Sequence, residues 1–365
     1  MSRSGSGQGV RSAVADDGRR KILHVMPLDK FVAPFIDFVE EHFSDFDRHI
    51  FFCLGDLALY PVGRRPNTLF ESDFPTSRRA YIHLAVQMNR AQKIILHGLS
   101  HMRVVQLLCM LPWVLKKCFW VIWGWDLYSY KLAERTRDWH RRELFRKFAI
   151  RRLGHIVTFI PGDAELARQW YGARGKVHQC VMYPSNLFDK KLASPEAHEG
   201  ICIQIGNSAD PDNEHVEMLQ MLERHRDRNF TIYAPLSYGD PLHAQAVAAA
   251  GRKMFGDKFV ALTEFLPLDD YRRLLGKIDI AVFNHRRQQG MGNMITLLGM
   301  GKKVYLRTDV TPWQLFQSMG LKVYDNADID LRPLDEPSAR RNREIVERHF
   351  SEPVLVDQLR AIFED

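Results

Sequence analysis

Residues 203–219 read IQIGNSADPDNEHVEML. An apolar run ends in Gly206, small polar residues follow, and a helical pattern begins. A strand that turns through glycine towards a helix is the joint of a parallel α/β sheet. The same turn leaves unpaired N–H groups pointing outward, where a helix dipole favours negative charge. Gly206 lets a ligand approach the backbone, and Asn207 and Ser208 add side-chain donors. Asp210 or Asp212 can cap the helix, and Pro211 suits its first turn. Anion binding and an ordinary β-to-α connection share this composition, so both readings stand.

The pattern recurs at 283–306, FNHRRQQGMGNMITLLGMGKKVYL. A strand runs into Gln289, Gly290, Gly292 and Asn293 and then into an apolar helix, with Arg286 and Arg287 beside its start. Paired arginines at a helix N-terminus complement phosphate. Both turns can face one diphosphate; the glycines can equally do no more than shape a loop.

Outward from these turns, apolar runs alternate with helical patterns almost throughout. Strand-like runs fall at 21–26, 48–54, 93–99, 118–124 and 155–161, with helical patterns at 35–43, 102–115, 132–153 and 163–171. A second series of strands begins near 200 and recurs at 230–236, 259–265, 278–284 and 302–308. Helical patterns separate its members near 213–228, 241–255, 268–276 and 292–300. The expected fold class is therefore α/β, with two doubly wound, Rossmann-like domains and ligands at the carboxyl ends of the strands. The expected boundaries are a disordered tail over 1–20, a first domain over 21–183, a linker over 184–199, a second domain over 200–330 and a closing helical segment over 331–365.

The chain has 365 residues, a formal net charge of +7 and a pI near 9.1. That suits nucleotide phosphates, an anionic membrane surface or nucleic acid. The basic residues interleave with acidic ones and no nucleic-acid motif is present, so no nucleic-acid partner is expected. The five cysteines sit in apolar stretches without CxxC or Cys/His spacing, which reads as free thiols in a reducing compartment. The tail 1–20 lacks the apolar core of a signal peptide. The most apolar stretch, 104–125, is broken by Pro112 and by Lys116 and Lys117, and neither half reaches the ~20 residues of a membrane span.

In WVIWGWDLYSY (120–130), Asp126 follows a strand and Gly124. A carboxylate at a strand's carboxyl end can take a proton from an attacking hydroxyl, or it can cap the next helix. His24 and His97 follow apolar strand residues and can line the same cleft or be structural. The stretch 131–155 is strongly basic, with Arg141, Arg142, Arg146 and Lys147 among residues at helical spacing. It reads equally as a helix lying on anionic lipid or as a solvated helix packed inward.

Three words resemble one family: WVIWGWDLY (120–128), IGNSADPDNEHV (205–216) and RRQQGMG (286–292). They are similar to the bacterial 4-acetamido-4,6-dideoxygalactose transferases of enterobacterial common antigen synthesis, glycosyltransferase family 56. Weaker likenesses lie at LHGL (96–99), Tyr183, Tyr238, Tyr271 and Asp279, and the match runs over roughly residues 20–325. The resemblance implies a GT-B fold, with two Rossmann-like domains facing a cleft and a nucleotide-sugar held by the second. It implies a dTDP-sugar donor, a polyprenyl-diphosphate-linked acceptor and peripheral attachment to the cytoplasmic face of the inner membrane. Donor contacts then fall to Gly206, Asn207, Ser208, Tyr238, Tyr271, Arg287, Gln289, Gly290, Gly292 and Asn293. Asp126 is the first choice of base and His97 the second, if the reaction inverts. No metal-ligand motif stands out and no cofactor is expected, so helix N-termini and arginine must stabilise the leaving group. The alternatives are a GT-B transferase using a UDP- or GDP-sugar, and a non-catalytic nucleotide-binding protein.

Overall fold

A computed structural model describes residues 21–190, 198–266 and 268–364. The expected tail 1–20 and residues 191–197 of the expected linker lie outside the described residues. The first half runs β1 (Ile22–Pro27), α1 (Val32–His42), β2 (His49–Leu54), β3 (Thr68–Phe70), α2 (Ser77–Arg90), β4 (Lys93–His97) and α3 (Met102–Met110). It continues through β5 (Cys118–Val121), α4 (Trp125–Leu132), α5 (Arg137–Ile150), β6 (His155–Val157), α6 (Pro161–Tyr171) and β7 (Lys176–His178). The second half runs β8 (Ile201–Ile205), α7 (His215–Glu223), β9 (Phe230–Pro235), α8 (Pro241–Phe255), β10 (Phe259–Leu262) and α9 (Leu268–Lys277). Then follow β11 (Ile280–Phe283), α10 (Met291–Gly299), β12 (Lys303–Leu306), α11 (Thr311–Met319), β13 (Tyr324–Asp325), α12 (Glu336–His349) and α13 (Glu352–Glu364).

The strands form two parallel sheets, ordered β3-β2-β1-β4-β5-β6-β7 and β10-β9-β8-β11-β12-β13. Both are doubly wound, with the order reversing between β1 and β4 and between β8 and β11. Such sheets hold ligands in the crevice at the reversal. Their strands are covered on both faces, which is why β2 and β11 are buried at every residue and read as continuous apolar runs.

The expected helix 132–153 is shorter in the structure: Leu132 is the last residue of α4, and the range holds one helix, α5. The chain leaves α4 at Ala133 and restarts where Thr136 accepts the amide of Trp139. The expected closing segment 331–365 divides into α12 and α13, at Phe350 and Ser351. Its last helix, α13, returns to the first sheet. Lys93 donates to the carbonyls of Ile362 and Phe363 at 2.8 and 2.9 Å, satisfying a helix end, and the amide of Val181 donates to Gln358 Oε1 at 2.8 Å. One apolar cluster runs from Phe35 and Phe51 through Tyr183 and Phe188 to Phe283 and Leu298, so the two halves share a core beneath the cleft.

Candidate active site

In the second domain β8 ends at Gly206, whose φ is 63°. A Cβ there would lie 2.7 Å from both Asn213 Oδ1 and His215 Nε2, so only glycine fits. Asn213 Oδ1 takes the amide of Asn207 at 3.0 Å and His285 Nε2 at 2.8 Å, which ties this turn to the one after β11. Gly290, at φ 65°, is the N-cap of α10. A Cβ added to it would lie 3.1 Å from Asn207 Oδ1 and from His285 Cε1, so the two turns adjoin there. The two glycine turns are thus a single surface at the β8/β11 reversal. The first-turn amides of α10 have no intrahelical acceptor, and Gly290 offers them no side chain. Asn207 Oδ1, His215 Nε2, Gln288 Oε1 and Gln289 Oε1 are buried and have no hydrogen-bond partner among the described residues. Buried polar atoms are rarely left so, and four of them, three in the two adjoining loops and one at the start of α7, point to a polar ligand.

The first domain closes on this surface. A Cβ on Gly124 would lie 2.6 Å from the Gln288 carbonyl, so the backbones meet there. Arg287 lies over the exposed Trp125 ring, its Cζ 5.5 Å from the centroid. Lys30, in the β1–α1 loop, places its ammonium 3.7 Å from the Tyr238 ring centroid of the second domain. Thr311 of α11 and Tyr128 of α4 both donate to Asp163 Oδ1, at 2.6 and 2.7 Å.

The family model described as 4-alpha-L-fucosyltransferase, glycosyl transferase group 56, matches residues 70–346. The chain belongs to glycosyltransferase family 56. Its fold is GT-B. Among similar structures are a sucrose-phosphate synthase of Thermosynechococcus elongatus (TM-score 0.67, 11% identity, covering 94% of this chain and 98% of that one) and Anabaena HepE with UDP and glucose (0.64, 10%, 94% and 100%). A UDP-forming trehalose-phosphate synthase of Burkholderia xenovorans follows (0.63, 11%, 95% and 99%). At these identities the likeness shows the fold alone. The protein is a sugar transferase of this family.

Several residues singled out in this transferase's sequence stand elsewhere than expected. Asp126 is 1% exposed. Its Oδ1 takes the Trp123 amide at 2.9 Å, and its Oδ2 takes the Leu99 amide at 3.0 Å and Trp120 Nε1 at 2.6 Å. Burial pushes its pKa up, against the pull of those donors and of Arg146. A carboxylate with three N–H donors and no access to the cleft is a structural clamp at the start of α4, not a base. His97 is fully buried, and burial holds its pKa down to about 3. It belongs to a chain: Tyr183 Oη lies 2.6 Å from His97 Nδ1, His97 Nε2 3.1 Å from His24 Nδ1, and His24 Nε2 2.9 Å from His49 Nδ1. Trp123 Nε1 can only donate, and it donates to Tyr183 Oη at 2.6 Å. Both ring nitrogens of His97 and of His24 are engaged in this chain, which leaves neither residue free to act on a substrate.

The donor-side residues divide. Gly206, Asn207, Gln289 and Gly290 line the shared surface described above. Ser208 is buried and accepts from Asn213 Nδ2 at 3.3 Å, so it braces the turn from within. Gly292 is packed on the linker, where a Cβ would meet the Ser185 carbonyl at 2.3 Å. Asn293 accepts from Tyr271, whose phenol burial pushes up to about 12. Tyr238 is exposed at the cleft mouth. Arg287 is not the free cation that its sequence position implies: Nε donates to Asp212 Oδ2 at 2.6 Å and Nη2 to Asp210 Oδ2 at 2.8 Å. Instead of being presented to a phosphate, it locks the two glycine turns together.

Arg146 is corrected as a lipid contact. It is 2% exposed, bonds the carbonyls of Leu99 and Asp126, and pairs with Glu143 at 2.9 Å. Arg141, Arg142 and Lys147 do face outward on α5, beside the exposed Leu144. Sequence reasoning passed over Asn213 and His285, which brace the turns, and Asp29 in the β1–α1 loop. Asp29 follows its strand in PLDK, the same strand-end position that singled out Asp126.

Proposed function

We propose that this transferase moves a 4-acetamido-4,6-dideoxygalactose-type sugar from a dTDP-sugar to a polyprenyl-diphosphate-linked oligosaccharide during cell-surface polysaccharide synthesis. The observation that carries the nucleotide-sugar reading is the contact between Gly290 and Asn207, which turns two glycine loops into one anion-ready surface beside the start of α10. The diphosphate lies against that surface. The amides opening α10 and the helix dipole stabilise charge on the leaving diphosphate without a metal ion. Full transfer in EDTA is the expected result, and loss restored by magnesium would overturn that scheme.

The choice of dTDP rests on the family. HepE in complex with UDP, and the UDP-forming trehalose-phosphate synthases, favour a second reading with a UDP-sugar donor. A thermal-shift screen against dTDP, UDP and GDP and their sugars separates the two, because a ligand that binds only the native state raises its Tm. Transfer of labelled sugar from the preferred donor to a polyprenyl-diphosphate glycan then tests the acceptor. A protein that binds nucleotide but neither transfers nor hydrolyses the sugar would be a binding protein only.

A lipid-linked acceptor would hold the reaction at a membrane, and the family resemblance implies the cytoplasmic face of the inner membrane. Arg141, Arg142 and Lys147 on α5 and the exposed Leu144, with exposed Met110 and Trp113 near the end of α3, offer a basic surface with apolar points. Each cation near anionic lipid contributes about 1 kcal/mol. Among the described residues no helix is long and apolar enough to cross a membrane.

A further inference from the structure

We propose that Asp29 takes the proton from the attacking acceptor hydroxyl. The assignment rests on the transferase reading above and names the residue that serves it.

Asp29 stands at the carboxyl end of β1, next to the β1/β4 reversal, in the domain opposite the nucleotide surface. Its loop reaches across the cleft, since the neighbouring Lys30 sits on Tyr238 of the second domain. The other carboxylates around the cleft are engaged. Asp126 holds three N–H groups, Asp163 is buried beneath two hydroxyls, and Asp210 and Asp212 hold Arg287. Asp29 Oδ1 and Asp163 Oδ2 are both shielded from water without a hydrogen-bond partner among the described residues, but Asp163 is 1% exposed whereas Asp29 is only half-buried. One oxygen of this carboxylate is therefore left unpaired on the acceptor's side of the cleft.

The surroundings suit the task. Burial raises the Asp29 pKa, against Lys30 and the amides of Lys30 and Phe31. A base is most effective when its pKa approaches the working pH. The groups facing it are Lys30 on its own loop, Tyr60 after β2, Tyr183 before the linker, and Tyr238 across the cleft beside Tyr60. Burial raises the Tyr60 and Tyr183 phenols, so neither competes for the proton. In the step itself, the acceptor oxygen bonds to the anomeric carbon as that carbon's bond to the diphosphate oxygen breaks. The electron pair of that bond leaves with the nucleoside diphosphate, and the hydroxyl proton passes to Asp29 Oδ1. Attack from the face opposite the leaving group inverts the anomeric centre.

The test compares wild type, Asp29→Asn and Asp29→Ala on whichever of the dTDP-, UDP- and GDP-sugars the wild type uses, so a wrong donor fails separately from Asp29. Expected are a fall in turnover of about 10²–10⁴ in both variants with donor Kd unchanged, and loss of the acidic limb of the kcat/KM profile. Added formate should restore at least tenfold to Asp29→Ala, a response that a purely structural residue would not give. Turnover within 100-fold of wild type in Asp29→Asn, or retained anomeric configuration in the wild-type product, overturns the proposal.

Discussion

Arg287 and Asp212 form a close ion pair, Nε to Oδ2 at 2.6 Å, that joins the loop after β11 to the loop after β8. With Asp210 on the same guanidinium, two carboxylates face one cation, so Arg287 brings no spare charge to a diphosphate. Its task is to hold the Asn207 and Gly290 turns in register.

A clamp and a phosphate ligand respond differently to the loss of Asp212. If Arg287 were the ligand, Asp212→Ala would release it and strengthen donor binding. As a clamp, Arg287→Ala and Asp212→Ala should each weaken binding by about 1.5–3 kcal/mol, and the double variant should lose little more than either. Calorimetric titration with the nucleoside diphosphate reads this directly.

Asp126→Asn would be nearly silent if Asp126 only capped a helix, because Asn caps as well as Asp. The clamp predicts otherwise. An amide offers one acceptor oxygen, and its NH2 group faces N–H donors from Leu99, Trp120 or Trp123. We expect a loss of about 2–3 kcal/mol in urea unfolding, from at least one buried donor left unpaired. Unchanged stability would return Asp126 to the list of candidate bases.

The buried histidines predict acid sensitivity. Burial lowers His49 to about 4 and His97, His215 and His285 to about 3, and lowers His24 as well. Their folded pKa values lie below the unfolded value of 6.5, so the unfolded chain binds more protons below that pH. Their contribution is intact above pH 6.5 and is lost as the pH falls towards 4. Between pH 7 and pH 5 each can cost up to about 2 kcal/mol. Asp163, pushed up to about 7 by burial, acts in the opposite sense but is outnumbered. Tm should fall steeply from pH 7 to pH 5, and a flat profile would show that these rings are solvated.

Arg141, Arg142 and Lys147 can be reversed to Glu together without touching the core, and the variant should lose sedimentation with anionic vesicles at low salt while keeping its Tm. Arg146→Ala should instead cost about 3–5 kcal/mol, because it leaves Glu143 buried and unpaired. Vesicle binding that survives the triple reversal would move the membrane contact off α5.

Alternating apolar runs and helical patterns determine the two parallel sheets, because a strand buried on both faces must be apolar along its length whatever packs on it. Gly206 and Gly290 were legible for a similar reason: a turn that crowds its own α-carbon admits only glycine, and the sequence records it. Three strands escaped, β3, β7 and β13, at three, three and two residues too short to carry a period. Helix α2 escaped although Ala80, Leu84 and Met88 mark its buried face, because the rest of it is polar. Only the tertiary structure decided which charged residues are free. Asp126, His97, Arg146 and Arg287 all have the type and place of functional groups, yet each is engaged by partners 20 to 86 positions away. A side chain's capacity to bond is written in its own chemistry. Whether that capacity is spent depends on neighbours brought close only by folding, and that is what separates Asp29 from Asp126.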